Sequence, residues 1–399
     1  MIRVFITDPQ RRVQRGHPWV FDTQVLRQDG EVAPGALVQV VDVKAGPVGT
    51  GYFNARSKIR VRLLTHDPTQ VVDEQWVRAR IQAAWALRQR LLPDVASVRV
   101  VFGESDGLPG LVVDKFDQVL VVQVLTLGME QLRGVIFDEL QRLISPLGIF
   151  ERSDAPVRAL EGLELRAGPV GSAFGTQVTI DEAGVRFAID VATGQKTGHF
   201  LDQRENHASM KMVARGAEVL DCFTHTGGFA LHAACHGASR VTGLDISAEA
   251  VANAQHNAKL NHVADRCSFE QANVFDHLGE MSRKGRSWDV VVLDPPAFAK
   301  SKAALPNALR GYKEINLRAM KCIRPGGFLV SCSCSFHLSA PAFDGMLAEA
   351  ASDAGVWLTE VHRGSQAPDH PVRWGFPESH YLKCVYLHVE PRRTLVQLP

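Results

Sequence analysis

From about Ala217 onward the chain repeats one pattern: a short apolar run, a turn, and a helix-length segment. The runs are Glu218–Cys222, Val241–Leu244, Val290–Leu293 and Phe328–Ser331, with helical patterns near Gly228–His236 and at Ala248–Asn261. Strands separated by helices are joined by crossovers, which predicts an α/β fold with a parallel, doubly wound sheet covered on both faces. Ligands of such sheets bind beyond the carboxyl ends of the strands, so the polar residues at those ends carry the functional information.

The first strand runs into Asp221-Cys-Phe-Thr-His-Thr-Gly-Gly-Phe-Ala, and the second ends in Gly243-Leu-Asp245. Adjacent glycines let backbone pass close under a ligand, and an acid about twenty residues on can accept both hydroxyls of a ribose. Gly227-Gly228 stand outside any G-x-G-x-x-G, and no G-x-x-x-x-G-K-[ST] phosphate loop is present, so dinucleotide and ATP readings weaken. A cofactor with adenosine but no pyrophosphate fits, and S-adenosylmethionine is such a cofactor. The alternative is a structural turn with Asp245 as a helix cap.

Trp288-Asp-Val-Val-Val-Leu ends in Asp294-Pro-Pro-Ala-Phe, which sets a carboxylate before a loop whose φ angles the prolines fix. Asp-Pro-Pro recurs in enzymes that methylate exocyclic amines, where an aromatic usually follows at once to stack the base; here Ala297 holds that place and Phe298 comes one later. After Pro325-Gly-Gly, the next strand ends in Cys332-Ser-Cys334-Ser335. Neighbouring strands would let Asp294 and Cys334 face one pocket. A thiolate adding to C6 of cytosine turns the ring into an enamine that can attack a methyl donor from C5, while Asp294 holds N3 or the exocyclic amine. Period-two alternation places Cys332 on the same face, so both thiols are candidates. Cys222, Cys235, Cys267, Cys322 and Cys384 read as small core residues.

Residues 1 to about 70 are alternating runs broken by glycines, the pattern of a small β-barrel. The whole chain carries 44 Lys and Arg against 43 Asp and Glu, yet residues 1–70 hold ten against six. Arg12, Arg15, Arg60 and Arg62 lie near His17, Trp19, Tyr52 and Phe53 in sequence, a mixture that can hold phosphates and stack on bases. The bland alternative is a barrel whose strands alternate basic and apolar residues. Helical spacing over Asp73–Leu92, strands at Val98–Phe102, Leu111–Val113 and Val119–Leu125, and a helix at about Met129–Ile144 predict an α+β middle region. The division is therefore 1–70, 71–190 and 191–399. Seven cysteines without zinc-like spacing give neither a disulfide scaffold nor a metal site, and no run of about 18 uncharged apolar residues is present. A cytoplasmic protein with no membrane partner is expected. Exposed β edges in the middle region would let two copies pair as a homodimer.

The segment Gly194-Gln-Lys-Thr-Gly-His-Phe-Leu-Asp-Gln-Arg204, together with the 221–229 loop, Asp294-Pro-Pro-Ala-Phe and Ser333-Cys-Ser335, resembles the class I S-adenosylmethionine-dependent methyltransferases that make 5-methylcytidine in 23S ribosomal RNA. The resemblance covers nearly the whole chain. His17-Pro-Trp-Val-Phe and Gly51-Tyr-Phe-Asn-Ala-Arg-Ser-Lys-Ile-Arg resemble the family's RNA-binding PUA barrel, and Gly103-Glu-Ser-Asp-Gly-Leu-Pro-Gly resembles its central domain. The resemblance implies a Rossmann-like methyltransferase domain after a PUA-like barrel and a small α+β domain. It implies that Lys196, Phe200, Gln203 and Arg204 line the cofactor pocket, that Phe223, Gly227 and Gly228 form its loop, and that Asp245 binds the ribose. Asp294 would sit between the donor and the target base, with Cys334 as the nucleophile. Asn273 stands where relatives commonly have an acid for the adenine amino group, its amide oxygen still able to accept. Cys332 is an additional thiol. Tyr312, Lys300 and His337 are near enough in sequence to be considered for the C5 proton. Competing functions are methylation of a guanine or adenine nitrogen, which needs no thiol, and a catalytically inactive RNA-binding assembly factor.

Overall fold

The computed structural model describes residues 1–299 and 301–392. They form two compact units: Met1–Ile180 with Ile189–Leu201 and Pro368–Ser379, and Asp181–Ala188 with 202–367 and the chain from His380.

The second unit is built on a seven-stranded sheet in the order 267–271, 240–245, 218–222, 288–293, 323–333, 383–391, 356–364. The first five strands are parallel, as the alternation predicted, and 383–391 is inserted antiparallel between 323–333 and 356–364. Trp288–Leu293 is almost wholly buried, as expected of a central strand covered on both faces. Its neighbours Leu220, Leu244 and Leu329 join Ile315, Ala319, Phe343 and Leu347 from the covering helices in one core. Helix 248–260 starts where Ser247 accepts the Ala250 amide at 3.2 Å, and helix 340–354 ends where Gly355 turns left-handed. The strand order reverses between 218–222 and 288–293, so the switch-point crevice of this Rossmann-like sheet opens at Cys222 and Leu293.

In the first unit a six-stranded sheet holds residues 2–65 and a five-stranded sheet holds 98–170. Val4, Ile6, Val20, Val38, Val40 and Val61 fill the barrel. Tyr52 leaves that core for the next one, where its hydroxyl donates to the Pro109 carbonyl at 2.8 Å and its ring lies against Gly128. The helix expected over 73–92 spans Glu74–Leu91, capped by Asp73, and the one expected at 129–144 is broken into Leu127–Gln131 and Arg133–Ile144.

Candidate active site

Asp221, at the end of the first strand of the second unit's sheet, is fully buried and its Oδ2 accepts from Thr224 Oγ at 2.6 Å and from the Ala230 amide at 3.0 Å. One carboxylate thus ties the strand end to the first turn of helix 228–235. Burial, with the Asp245 charge adding to it, pushes Asp221 up to about 7. Between strand and helix, Phe223, His225 and Gly227 all take positive φ, at 65°, 49° and 94°. Two of these three are not glycine and each costs about 1 kcal/mol or more, a strain characteristic of loops shaped for a ligand. At Gly228 a Cβ would stand 2.5 Å from His207 Cε1, so only glycine lets the backbone pass.

Asp245 ends the adjacent strand. Its Oδ2 accepts from the His225 amide and its Oδ1 from the Ser247 amide, both at 2.9 Å. Each oxygen keeps lone-pair capacity for a ribose hydroxyl. The left-handed loop, the glycine with no room for a side chain and the acid facing it are a donor and acceptor set that fits S-adenosylmethionine. Gln203 and Arg204 are buried, Gln203 Oε1 accepting from Asn206 Nδ2 at 2.6 Å and the Gln203 side chain also bonded to Cys332.

Asp294 follows strand 288–293, and its amide reaches the Cys222 carbonyl at 3.4 Å across the switch point. Strand 323–333 pairs with it in parallel register, Leu293 opposite Ser331, so the two carboxyl ends lie side by side as expected. The two thiols there differ. Cys332 is inside the strand, fully buried and opposite Cys384; burial, the Cys384 thiol and the Asp294 charge all push it well above the ordinary thiol range. Cys334 lies one residue past the strand and is half-buried.

Sequence reasoning missed Lys383. Its Nζ is buried and donates to the carbonyls of Ser335, Leu338 and Tyr381 at 2.7, 2.8 and 2.8 Å, which pins the loop that follows Cys334. Desolvation lowers Lys383 to about 8, with the nearby Cys334 acting in the opposite direction. The lysine belongs to strand 383–391, which no periodicity in the sequence had marked. Tyr312 is buried beneath the same loop, bonded to Ser333 and Ser335 and packed at a tilt against Phe298 with ring centroids 4.6 Å apart, while His337 is half-buried. Lys300 lies outside the described residues.

Asn273 Oδ1 accepts from the Phe275 and Asp276 amides as the cap of helix 274–284, so the amide oxygen expected for the adenine amino group is already engaged. Lys196 and Phe200 belong to the stretch 189–201 grouped with the first unit, where Lys196 Nζ sits 4.9 Å over the Phe200 ring. Arg62 is a correction to the expected RNA face: it is 7% exposed and paired with Glu104 at 3.2 Å and Glu161 at 3.1 Å. Burial alone would raise Glu161, yet Arg62, Asn54 and Ser57 hold it below its ordinary value. Arg60 bonds the carbonyls of Asn54 and Ala55, and Arg12 is paired with Glu378. Arg15 remains exposed, with no ion pair among the described residues.

Spacing also could not show the buried group Glu182, His207 and His232, drawn from three separate elements. His207 Nδ1 lies 2.6 Å from Glu182 Oε1, and His232 Nε2 lies 3.2 Å from the same oxygen. The His207 ring is the surface on which Gly228 rests, so this group supports the cofactor loop from below.

Residues 170–375 match the S-adenosylmethionine-dependent methyltransferase family, and residues 8–66 match the PUA-like domain. A protein of Alteromonas mediterranea called ribosomal RNA large subunit methyltransferase I is 39% identical over 96% of this chain and 98% of its own length. The Escherichia coli K12 protein of the same name is 37% identical over 94% and 96%. A methyltransferase solved in complex with SAH shares the fold, with TM-score 0.83 at 19% identity over 97% of this chain and 100% of that one. Among the described residues no helix is long and apolar enough to cross a membrane. The chain is therefore an enzyme that uses S-adenosylmethionine, and it belongs to the family of the ribosomal RNA large subunit methyltransferase I proteins, S-adenosylmethionine-dependent methyltransferases that carry a PUA-like domain.

Proposed function

We propose that the chain methylates C5 of a cytosine in 23S ribosomal RNA, with Cys334 as nucleophile and Asp294 as the group that holds the base. The observation that carries the reading is the half-exposed Cys334 just past the strand that neighbours Asp294, beside a thiol, Cys332, whose burial keeps it protonated. S-adenosylmethionine supplies an electrophilic methyl group. Gln203, Arg204, Phe223, Gly227, Gly228 and Asp245 hold it. The Cys334 thiolate would form a bond to C6, and the electron density gained at C5 would form the bond to the methyl carbon as the carbon–sulfur bond of the sulfonium breaks and its electron pair leaves on the neutral thioether. Asp294 meets N3 or the exocyclic amine as charge moves through the ring. Loss of the C5 proton then expels the thiolate and restores the aromatic ring. The Lys383 ammonium next to Cys334 favours the thiolate.

In this reading residues 1–70 are an RNA-binding barrel, 71–190 a central α+β domain and 191–399 the catalytic domain, in a cytoplasmic protein. Arg12, Arg15 and Arg60 meet the RNA backbone. The exposed edge strand Arg166–Val170 is where a homodimer would form.

Ribosomal RNA tritiated at cytosine C5, mixed with the protein and unlabelled S-adenosylmethionine, should release tritium to water. Cys334→Ala should abolish release and Cys332→Ala should retain it. Methyl incorporation without tritium release would replace this reading by methylation of a base nitrogen, and neither signal would leave an RNA-binding assembly factor.

A further inference from the structure

The most exposed large apolar side chain among the described residues is Trp374, at 94%. A single apolar residue on a surface needs no explanation. Trp374 differs in that the residues around it are fastened down. Within the first unit, Glu378 pairs with Arg12 at 3.0 Å and with His17 at 3.2 Å. Phe376 packs edge-on against Trp19 at 4.8 Å and against His17 at 5.3 Å. Arg373 donates to the Glu104 carbonyl at 2.9 Å, and its own amide donates to Ser379 Oγ at 3.0 Å. Gly375 has φ 90°, and a Cβ there would run into the Arg15 carbonyl oxygen. The loop is thus pinned on both sides of a side chain that buries almost nothing.

The pinning also fixes what stands next to the Trp374 backbone. Gly375 touches the backbone of Arg15, and Gly16 lies against the Trp374 carbonyl. Arg11 and Arg15 are both exposed and make no ion pair among the described residues. An exposed indole on a pinned backbone that touches the Arg15 backbone, with the Arg11 carbonyl accepting from the Arg15 amide at 3.0 Å and both arginine side chains exposed, matches an unpaired nucleobase with its flanking phosphates: the ring takes the base, and the cations take the backbone.

We propose that Trp374 is a stacking platform for an unpaired base of the RNA substrate, with Arg11 and Arg15 holding the adjacent phosphates. The proposal rests on the ribosomal RNA reading above and adds to it a contact supplied by the 368–379 segment rather than by the barrel strands. A base stacked on one aromatic loses about tenfold or more in affinity when the ring is removed.

The test uses the full chain and its Trp374→Ala, Trp374→Phe and Arg15→Gln variants, with unmodified 23S RNA and a single-stranded oligoribonucleotide as probes. Trp374→Ala should weaken binding of both RNAs by about tenfold, leave the slope of log K against log salt unchanged, and raise KM for RNA with kcat intact. Trp374→Phe should recover most of the affinity. Arg15→Gln should instead lower that slope by about one. Far-UV circular dichroism and the thermal midpoint should be the same in all variants, since Trp374 packs on nothing.

Wild-type affinity and KM in Trp374→Ala, from a protein that still methylates the RNA, overturn the platform and leave the function standing. Unchanged RNA binding with altered self-association in that variant overturns it in favour of a protein contact. A wild-type chain that binds neither RNA overturns both readings.

Discussion

Asp221→Asn tests whether the strand-end acid is held protonated by burial. The native side chain takes up its proton at about 7 against 3.8 for the ordinary group. Between those values the folded chain binds more protons than the unfolded one, so stability falls as pH rises through that window. At about 1.4 kcal/mol per unit, a shift of about three units amounts to roughly 4 kcal/mol. Asparagine keeps an oxygen to accept from Thr224 and Ala230 and carries no charge to desolvate. Urea unfolding of wild type and variant at steps from about pH 4 to about pH 8 isolates the effect as a difference between the two curves. The wild type should lose ground to Asp221→Asn by up to about 4 kcal/mol as pH rises to about 7, and the gap should then level. Parallel curves across the range would show that the carboxylate is ionised throughout and that burial does not hold its proton.

Lys383→Met should raise the pH midpoint for alkylation of Cys334, followed by mass spectrometry of its peptide; an unchanged midpoint would separate the lysine from the thiol. Arg62→Met leaves Glu104 and Glu161 without their shared partner and should cost about 3 kcal/mol or more of first-unit stability in urea, with no loss of RNA affinity in the folded protein. A loss of affinity without destabilisation would return Arg62 to the RNA face.

The parallel core was legible because its strands are buried on both faces and bounded by glycine-rich turns, so an apolar run such as Trp288–Leu293 leaves little alternative. The edge was not. Strand 356–364 is largely exposed and mixes apolar with charged residues without alternation, and 383–391 draws its meaning from two partners distant in sequence. Lys383 was hidden for that reason. Arg62 misled because alternation assigns a face but not what covers it, and here Glu104 and Glu161 do. Asn273 shows the same limit: its type suited two tasks, and the cap of helix 274–284 took it. Cys334 and Cys332 could not be told apart by period two, because the strand stops between them.

The strand that lies beside 323–333 on its outer side is 383–391, the last of the sheet in chain order. During synthesis the Cys334 loop therefore leaves the ribosome about fifty residues before the ammonium that pins its carbonyls. A nascent chain halted ahead of Lys383 can carry the barrel and the glycine loop, but it lacks the group that fixes the reactive end of the sheet. In the proposed mechanism the Cys334 loop is thus set only once Lys383 has been made, well after the barrel and the glycine loop that precede it in the chain.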